Sequence, residues 1–346
     1  MKQVNIQGTL STQTIMKNIA IIGIFLLLLG GGMPFSAAAA IPPLEREALI
    51  ALYNSTNGDD WKYNSGWKQG QLDADGFSTP GTENTWYGIT CDNENTTVVE
   101  IDLKLNDLTG EIPQALGNLI NLTYLNLWGN QLTGEIPPEL GTLINLTYLD
   151  FLDNQLTGNI PAELGGLTNL RELFLSSNQL TGSIPKELGD LLDLTELALC
   201  DNKLERGIPR ELGNLSNLTY LCLKDNALTG SIPGELGNLT NLEELLLASN
   251  QLAGEIPNEL NALTNLIFLE LWYNGLYTND DTLRTFLDDK NPGWEDTQTI
   301  APKNVESMYS HMLKSTTNLL MPSSINLVIS SLNLTAFASV ARLRNT

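Results

Sequence analysis

Apolar and polar positions return in the same order every 24 residues between positions 98 and 277. The unit is seen in Leu122 to Pro137, LTYLNLWGNQLTGEIP, which continues as xELGxLxNL into the next. Leu125 and Leu127 fall on one side of a short extended segment, and Tyr124, Asn126 and Trp128 fall on the other. One such unit has nothing against which to bury its leucines. Stacked in parallel about 4.8 Å apart, successive units close a continuous apolar core and pair each strand with the next.

An asparagine stands at the same point of every unit, at Asn106, Asn130, Asn154, Asn178, Asn202, Asn226, Asn250 and Asn274, which predicts eight coils. A primary amide donates and accepts at once, so a column of them is expected to satisfy turn backbone groups that water cannot reach. Gly134 is expected to supply a backbone geometry closed to other residues, and Pro137 to stiffen the return path. The fifth coil reads Leu204-Glu205-Arg206-Gly207-Ile208-Pro209, with Arg206 in the glycine slot. Its length is unchanged, so Gly207 is expected to absorb the strain.

The LxxLxLxxN frame with its LTGxIP extension resembles the plant-type leucine-rich repeat of receptor-kinase ectodomains and polygalacturonase-inhibiting proteins, and exported bacterial repeat proteins are similar. The resemblance covers roughly residues 43–302. It implies an α/β solenoid: a right-handed superhelix with a parallel concave β-sheet, an irregular or 3-10 convex side, and helical caps at both ends. WYGITC at 86–91 is similar to the plant-type N-terminal cap, in which a cysteine usually stands two residues before the tryptophan. Here Asn84 occupies that place, so a buried thiol is expected at Cys91.

The ends of the array read as caps. In the N-terminal cap, residues 41–97, Pro42 and Pro43 precede the amphipathic stretch Leu44 to Leu52, and Trp61, Trp67, Trp86 and Tyr87 supply bulk to cover the first coil. In the C-terminal cap, residues 278–302, Asp281 to Leu287 reads as a capped helix and Trp294 as the plug. Residues 303–346 are expected to be a weakly ordered tail. The first 40 residues contain no acid and run apolar from Ile19 to Leu29, followed by Ser36 and four alanines. That is the layout of a secretory signal peptide cleaved near Ala40; either Met1 or Met16 opens it. A retained anchor is the alternative, although Gly30 to Gly32 interrupt the apolar run.

Composition narrows the partner. The formal net charge is −22, and losing Lys2 and Lys17 with the leader would leave 16 basic residues against 40 acidic ones. Such acidity disfavours nucleic acid and anionic membranes as partners; its bland reading is solubility. With the leader removed, no stable membrane insertion is expected.

The outward strand positions carry Tyr124, Trp128, Tyr148, Phe174, Tyr220, Phe268 and Trp272. Acids share the same face at Glu100, Asp102, Asp150, Glu172, Glu196, Glu244 and Glu270. Flat aromatic surface beside acceptors suits a protein, a peptide or a glycan, and mutual shielding of the rings along the ladder is the alternative. Cys200 and Cys222 project from this face two residues out of register. Extended-strand geometry puts their Cα atoms about 8 Å apart, which predicts two free thiols.

Catalysis has little to stand on. The single histidine, His311, falls in the tail, and no GxSxG, HExxH, P-loop or GxGxxG is present. The carboxylates of the face are the one remaining enzymatic route, that of a glycosidase. Asp73 and Asp75 in LDADG read as a turn rather than half a calcium loop. No cofactor, no metal and no catalytic residue are expected. The Asn-x-Ser/Thr sequons, including Asn121, Asn145 and Asn217, arise mostly because NLT lies in the repeat.

The sequence therefore reads as a non-enzymatic, secreted or cell-surface module that binds a protein or peptide through its concave face. The alternatives are an inhibitor of a carbohydrate-active enzyme and a structural or adhesive surface protein.

Overall fold

The computed structural model of the protein describes residues 40–298. The expected leader before Ala40 and the expected tail from 303, with His311, lie outside the described residues.

The 24-residue units stack into a solenoid. Its concave side is a nine-stranded sheet whose strands follow one another in chain order, from Ile89–Cys91 and Val98–Asp102 through Tyr124–Asn126 to Phe268–Glu270. Only the first pair is antiparallel. Every later pair is parallel with a register of 24, as in Leu125↔Leu149 and Leu221↔Leu245. Each coil leaves its strand and returns through a five-residue 3-10 turn that follows a proline; Pro138–Thr142 is an example. Short flanking strands at the LTG segment pair in parallel in two smaller sheets, one of two strands with Gln131–Thr133 and one of four with Gln251–Glu255. The leucines of all eight frames point inward, and most are fully buried in one continuous core.

The asparagine column ties the coils together. Asn154 Oδ1 accepts the Leu132 amide at 3.0 Å, while its Nδ2 donates to the Leu127 carbonyl of the preceding coil at 3.0 Å and to Phe151 of its own at 3.2 Å. Asn178, Asn202, Asn226, Asn250 and Asn274 repeat the arrangement. At the start, Asn106 Oδ1 accepts the Tyr63 amide and its Nδ2 donates to the Tyr63 carbonyl. At the other end Gln298, one period beyond Asn274, takes the next rung. Its Oε1 accepts the Leu276 amide and its Nε2 donates to the Leu271 and Trp294 carbonyls.

The N-terminal helix Pro43–Ser55 packs over the first coil. Glu45 is buried and accepts from the Thr97 hydroxyl and the Val98 amide, both at 2.7 Å. Arg46 bonds Glu83, Asp75 and the Ser78 carbonyl, so Asp75 is held by a guanidinium. Tyr53, Trp61, Trp67, Phe77 and Trp86 stack beneath. Tyr87 is not part of this plug: it is exposed and lies against Tyr63. At the other end the helix Asp281–Lys290 is capped by Asp280, which accepts the Leu283 amide at 2.7 Å, and Trp294 is fully buried. Among the described residues no helix is long and apolar enough to cross a membrane.

The fifth coil differs from the sequence expectation. Gly134 sits at φ 77°, and the matching glycines of neighbouring coils are also left-handed. In the fifth coil it is Arg206 itself that adopts φ 70°, not Gly207. Glu205 and Arg206 remain paired with Ala227 and Leu228, and the Glu205 amide with the Gly182 carbonyl. With the ladder fixed on both sides, the left-handed turn stays in its slot whichever residue fills it.

Candidate partner-binding face

Period-two alternation places three outward positions per coil on the concave face, and stacking turns them into three rows across the strands. The first row reads Glu100, Tyr124, Tyr148, Glu172, Glu196, Tyr220, Glu244, Phe268 in register. The second reads Asp102, Asn126, Asp150, Phe174, Ala198, Cys222, Leu246, Glu270. The third, just past the strand ends, carries Lys104, Trp128, Leu152, Ser176, Cys200, Lys224, Ala248 and Trp272.

The aromatic side chains do not form one strip. Near the N-terminal end Tyr124 and Tyr148 stack at 4.3 Å between ring centres and 12° between planes, and Phe174 follows at 5.7 Å. Tyr148 donates its hydroxyl to Asp150 at 3.0 Å, and Asn126 donates its amide to the Tyr124 hydroxyl. These rings shield one another and are half-buried; Trp128, on the same side, is half-buried too. The second aromatic group surrounds the cysteines. Tyr220 and Phe268 pack on Cys200, Cys222 and Leu246, and Trp272 is buried at 7% exposure.

Cys200 and Cys222 are joined by a disulfide, with Cα atoms 5.4 Å apart. The expectation of two free thiols is overturned. That expectation carried flat extended-strand spacing two residues beyond Ala198, where the strand has ended. Cys91 carries the free thiol, and burial pushes its pKa up to about 11.

The acids fall into two kinds. Asp150 and Glu270 are buried and already engaged: Asp150 takes the Leu152 amide and the Tyr148 hydroxyl, and Glu270 pairs with Lys224 at 3.4 Å. Burial pushes the Asp150 carboxyl up to about 6. Glu172, Glu196 and Glu244 are half-buried, and no Lys or Arg pairs with them among the described residues. Burial raises all three, and repulsion from Glu172 and Glu244 adds to the shift at Glu196. Sequence reasoning put these acids in one set; it missed Ser176, Ala198, Lys224 and Leu246, which share the face. Counting every outward slot would have found them. Among the described residues no group of three or more His, Cys, Asp or Glu is placed to hold a metal ion.

A solenoid with an open parallel sheet and a row-patterned inner face defines a repeat protein of the leucine-rich class. The chain belongs to the leucine-rich-repeat proteins: residues 101–223 and 162–288 match the leucine-rich repeat region, together more than half its length. Its structural neighbours are plant receptor-kinase ectodomains. It is 38% identical to the ectodomain of the Arabidopsis thaliana receptor kinase GASSHO1/SCHENGEN3, solved with CASPARIAN STRIP INTEGRITY FACTOR 2, over 61% of this chain and 29% of that one, with a TM-score of 0.50. It is 30% identical to the Arabidopsis receptor kinase HAESA, solved with the peptide hormone IDA and the co-receptor SERK1, over 68% and 42% of the two chains, TM-score 0.53. A plant ice-binding protein shares the fold at 24% identity, over 68% and 81%, TM-score 0.54. In sequence, a stretch of 42 residues is 45% identical to a leucine-rich repeat receptor-like serine/threonine-protein kinase of Arabidopsis thaliana, 12% of this chain and 4% of that protein. The chain thus spans well under half of each of these receptor kinases.

Proposed function

We propose that the protein is an exported binding module that recognises a protein or peptide through its concave sheet and performs no catalysis. The observation that carries this reading is the open concave face itself, where half-buried aromatic rings flank glutamates left without a cationic partner among the described residues. Such a surface is costly to keep in water and is suited to an extended partner. The receptor kinase HAESA, which it resembles, was solved with the peptide hormone IDA, which supports the same reading. The secretory leader expected over residues 1–40 is consistent with export of the module.

The test is capture from surface extracts by the wild-type protein, by Trp128→Ala with Phe268→Ala, and by a convex control, Glu139→Gln with Glu163→Gln. Capture lost only in the concave variant supports the reading. Equal capture by all three removes the concave face from the argument. A second reading, binding of ordered water or ice, draws on the hydroxyls of Thr133, Thr157 and Thr181, one per coil along the flanking edge. Each already donates to the glycine carbonyl of the preceding coil, so the row is explained as stapling between coils. An ice-recrystallisation assay separates the two readings.

A further inference from the structure

The middle of the concave face differs from its two ends in a way that selects a ligand. Here the second row passes from Phe174 to Ala198 and the third holds Ser176, so small side chains floor a trough between the two aromatic groups. One wall is Glu172, Glu196 and Glu244, with Tyr220 between the last two. The far end is closed by Tyr220, Phe268 and Leu246 packed around the disulfide. Ser176 is 7% exposed, turned to this face by the alternation that sends Leu175 inward, and its hydroxyl has no hydrogen-bond partner among the described residues. The other buried acids of the face are satisfied, Asp150 by Tyr148 and Glu270 by Lys224. No Lys or Arg pairs with the three glutamates of the wall among the described residues.

We propose that this trough binds an extended, cationic peptide segment laid across the strands, with two basic side chains four residues apart on the glutamate wall and an apolar side chain between them beside Tyr220. The inference rests on the concave-face reading and names the chemistry of its partner. Charge complementarity carries it. Half-buried carboxylates pushing one another toward protonation gain most from a cation brought against them. The spacing follows from the sheet. Strands lie about 4.8 Å apart, so the Glu172 and Glu196 pair is centred about 12 Å from Glu244. An extended chain covers that distance in about four residues at about 3.3 Å each, and side chains four apart share a face.

The experiment uses fluorescein-labelled dodecapeptides of equal length, titrated into the purified full chain by anisotropy. One carries lysines at i and i+4 with leucine at i+2, one has the same composition with adjacent lysines, and one has the lysines replaced by serine. The spaced-lysine peptide is expected to bind at least tenfold more tightly than the other two, with affinity falling as salt is raised. Glu172→Gln, Glu196→Gln and Glu244→Gln together are expected to remove that advantage. The convex triple Glu139→Gln, Glu163→Gln and Glu187→Gln is expected to leave it within about threefold, which separates the trough from general attraction to an acidic protein. These are outward isosteric changes, and circular dichroism checks that both variants stay folded.

Binding of the spaced-lysine peptide that survives the concave triple, or that is matched by the adjacent-lysine peptide, overturns the inference. Preferred binding of the serine peptide, still lost on Phe268→Ala, overturns the cationic ligand while leaving the concave-face reading standing. If none of the peptides binds, the inference fails, and the surface-extract capture decides the broader reading on its own.

Discussion

Replacing Asn250 tests the column that holds the coils in register. Its Oδ1 accepts the Leu228 amide at 3.0 Å, and its Nδ2 lies 2.9 Å from the Leu223 carbonyl and 3.2 Å from those of Leu247 and Ala248. The residue is 5% exposed, so water cannot replace these partners in place. Asn250→Ala leaves the buried Leu228 amide without an acceptor and takes one donor from each of three carbonyls that keep another: Leu223 from Asn226, Leu247 from Asn274, and Ala248 from the Asp225 amide. A buried amide left unsatisfied costs about 1–3 kcal/mol, and carbonyls that keep a second donor add little, so the loss is expected to be about 1–3 kcal/mol. That is a large share of the roughly 5–15 kcal/mol by which a domain is stable. Asn250→Asp separates shape from chemistry: it keeps the oxygen facing Leu228 but sets a carboxylate oxygen against three carbonyls. It is expected to be at least as damaging as alanine near pH 7 and less damaging in acid, where the protonated carboxyl donates one hydrogen bond. Urea unfolding followed by tryptophan fluorescence and by circular dichroism measures both, with coincidence of the two probes checking that the solenoid melts as one unit. An aspartate variant as stable as the wild type at pH 7 would show that the donor half of the amide is dispensable and refute the account of the column.

Arg206→Gly places the residue the turn asks for; relief of about 1–2 kcal/mol of left-handed strain, less about 0.5–1 kcal/mol from the looser unfolded chain, predicts a small rise in the urea midpoint. An unchanged or lower midpoint would mean that the Arg206 side chain contributes as much as its backbone costs. Reducing the Cys200–Cys222 bond, or Cys200→Ser with Cys222→Ser, is expected to lower stability by up to about 3 kcal/mol, and maleimide labelling of the unreduced, denatured protein should modify Cys91 alone. Asp150 titrates near 6 when folded, above its ordinary 3.8, so its folded state holds a proton that the unfolded state releases. Its contribution is present in full below about 3.8 and is lost as the pH rises through about 6, by up to about 3 kcal/mol before allowance for solvent. Urea midpoints should therefore rise from pH 7 to pH 5 in the wild type and rise less in Asp150→Asn; equal slopes would remove Asp150 as the source.

The fold was legible because it is written many times over. A 24-residue period with leucines at alternate positions leaves only one way to bury them, and an asparagine in every period marks the turn that needs it. Where the period is kept but the residue changes, reading by residue type failed. Gln298 stands one period after Asn274 and does the same work with one more methylene, yet it lies past the last strand pattern and was not counted. Arg206 occupies a glycine slot, and the strain was assigned to the neighbouring glycine because propensity favours it. The ladder on either side outweighs a local cost of about 1–2 kcal/mol, so position decides the conformation and residue type decides only its cost.

The face was legible in register but not in depth. Alternation gives the direction of every side chain, and Glu172, Glu196, Asp150, Glu270 and Trp272 all point to the concave side. Direction says nothing of crowding. On the inside of a curved sheet, large neighbours close over one another, so Trp272 and Glu270 are buried while Glu172 and Glu196, beside the small Ala198, keep access to solvent. The cysteines fail for a related reason: flat strand spacing was carried past Ala198, where the strand has ended. Which acids are available to a partner is therefore set by the size of their neighbours across the strands. It follows that Ala198→Leu, which changes no charge and no outward direction, should block an extended ligand in the trough as effectively as removing the glutamates themselves.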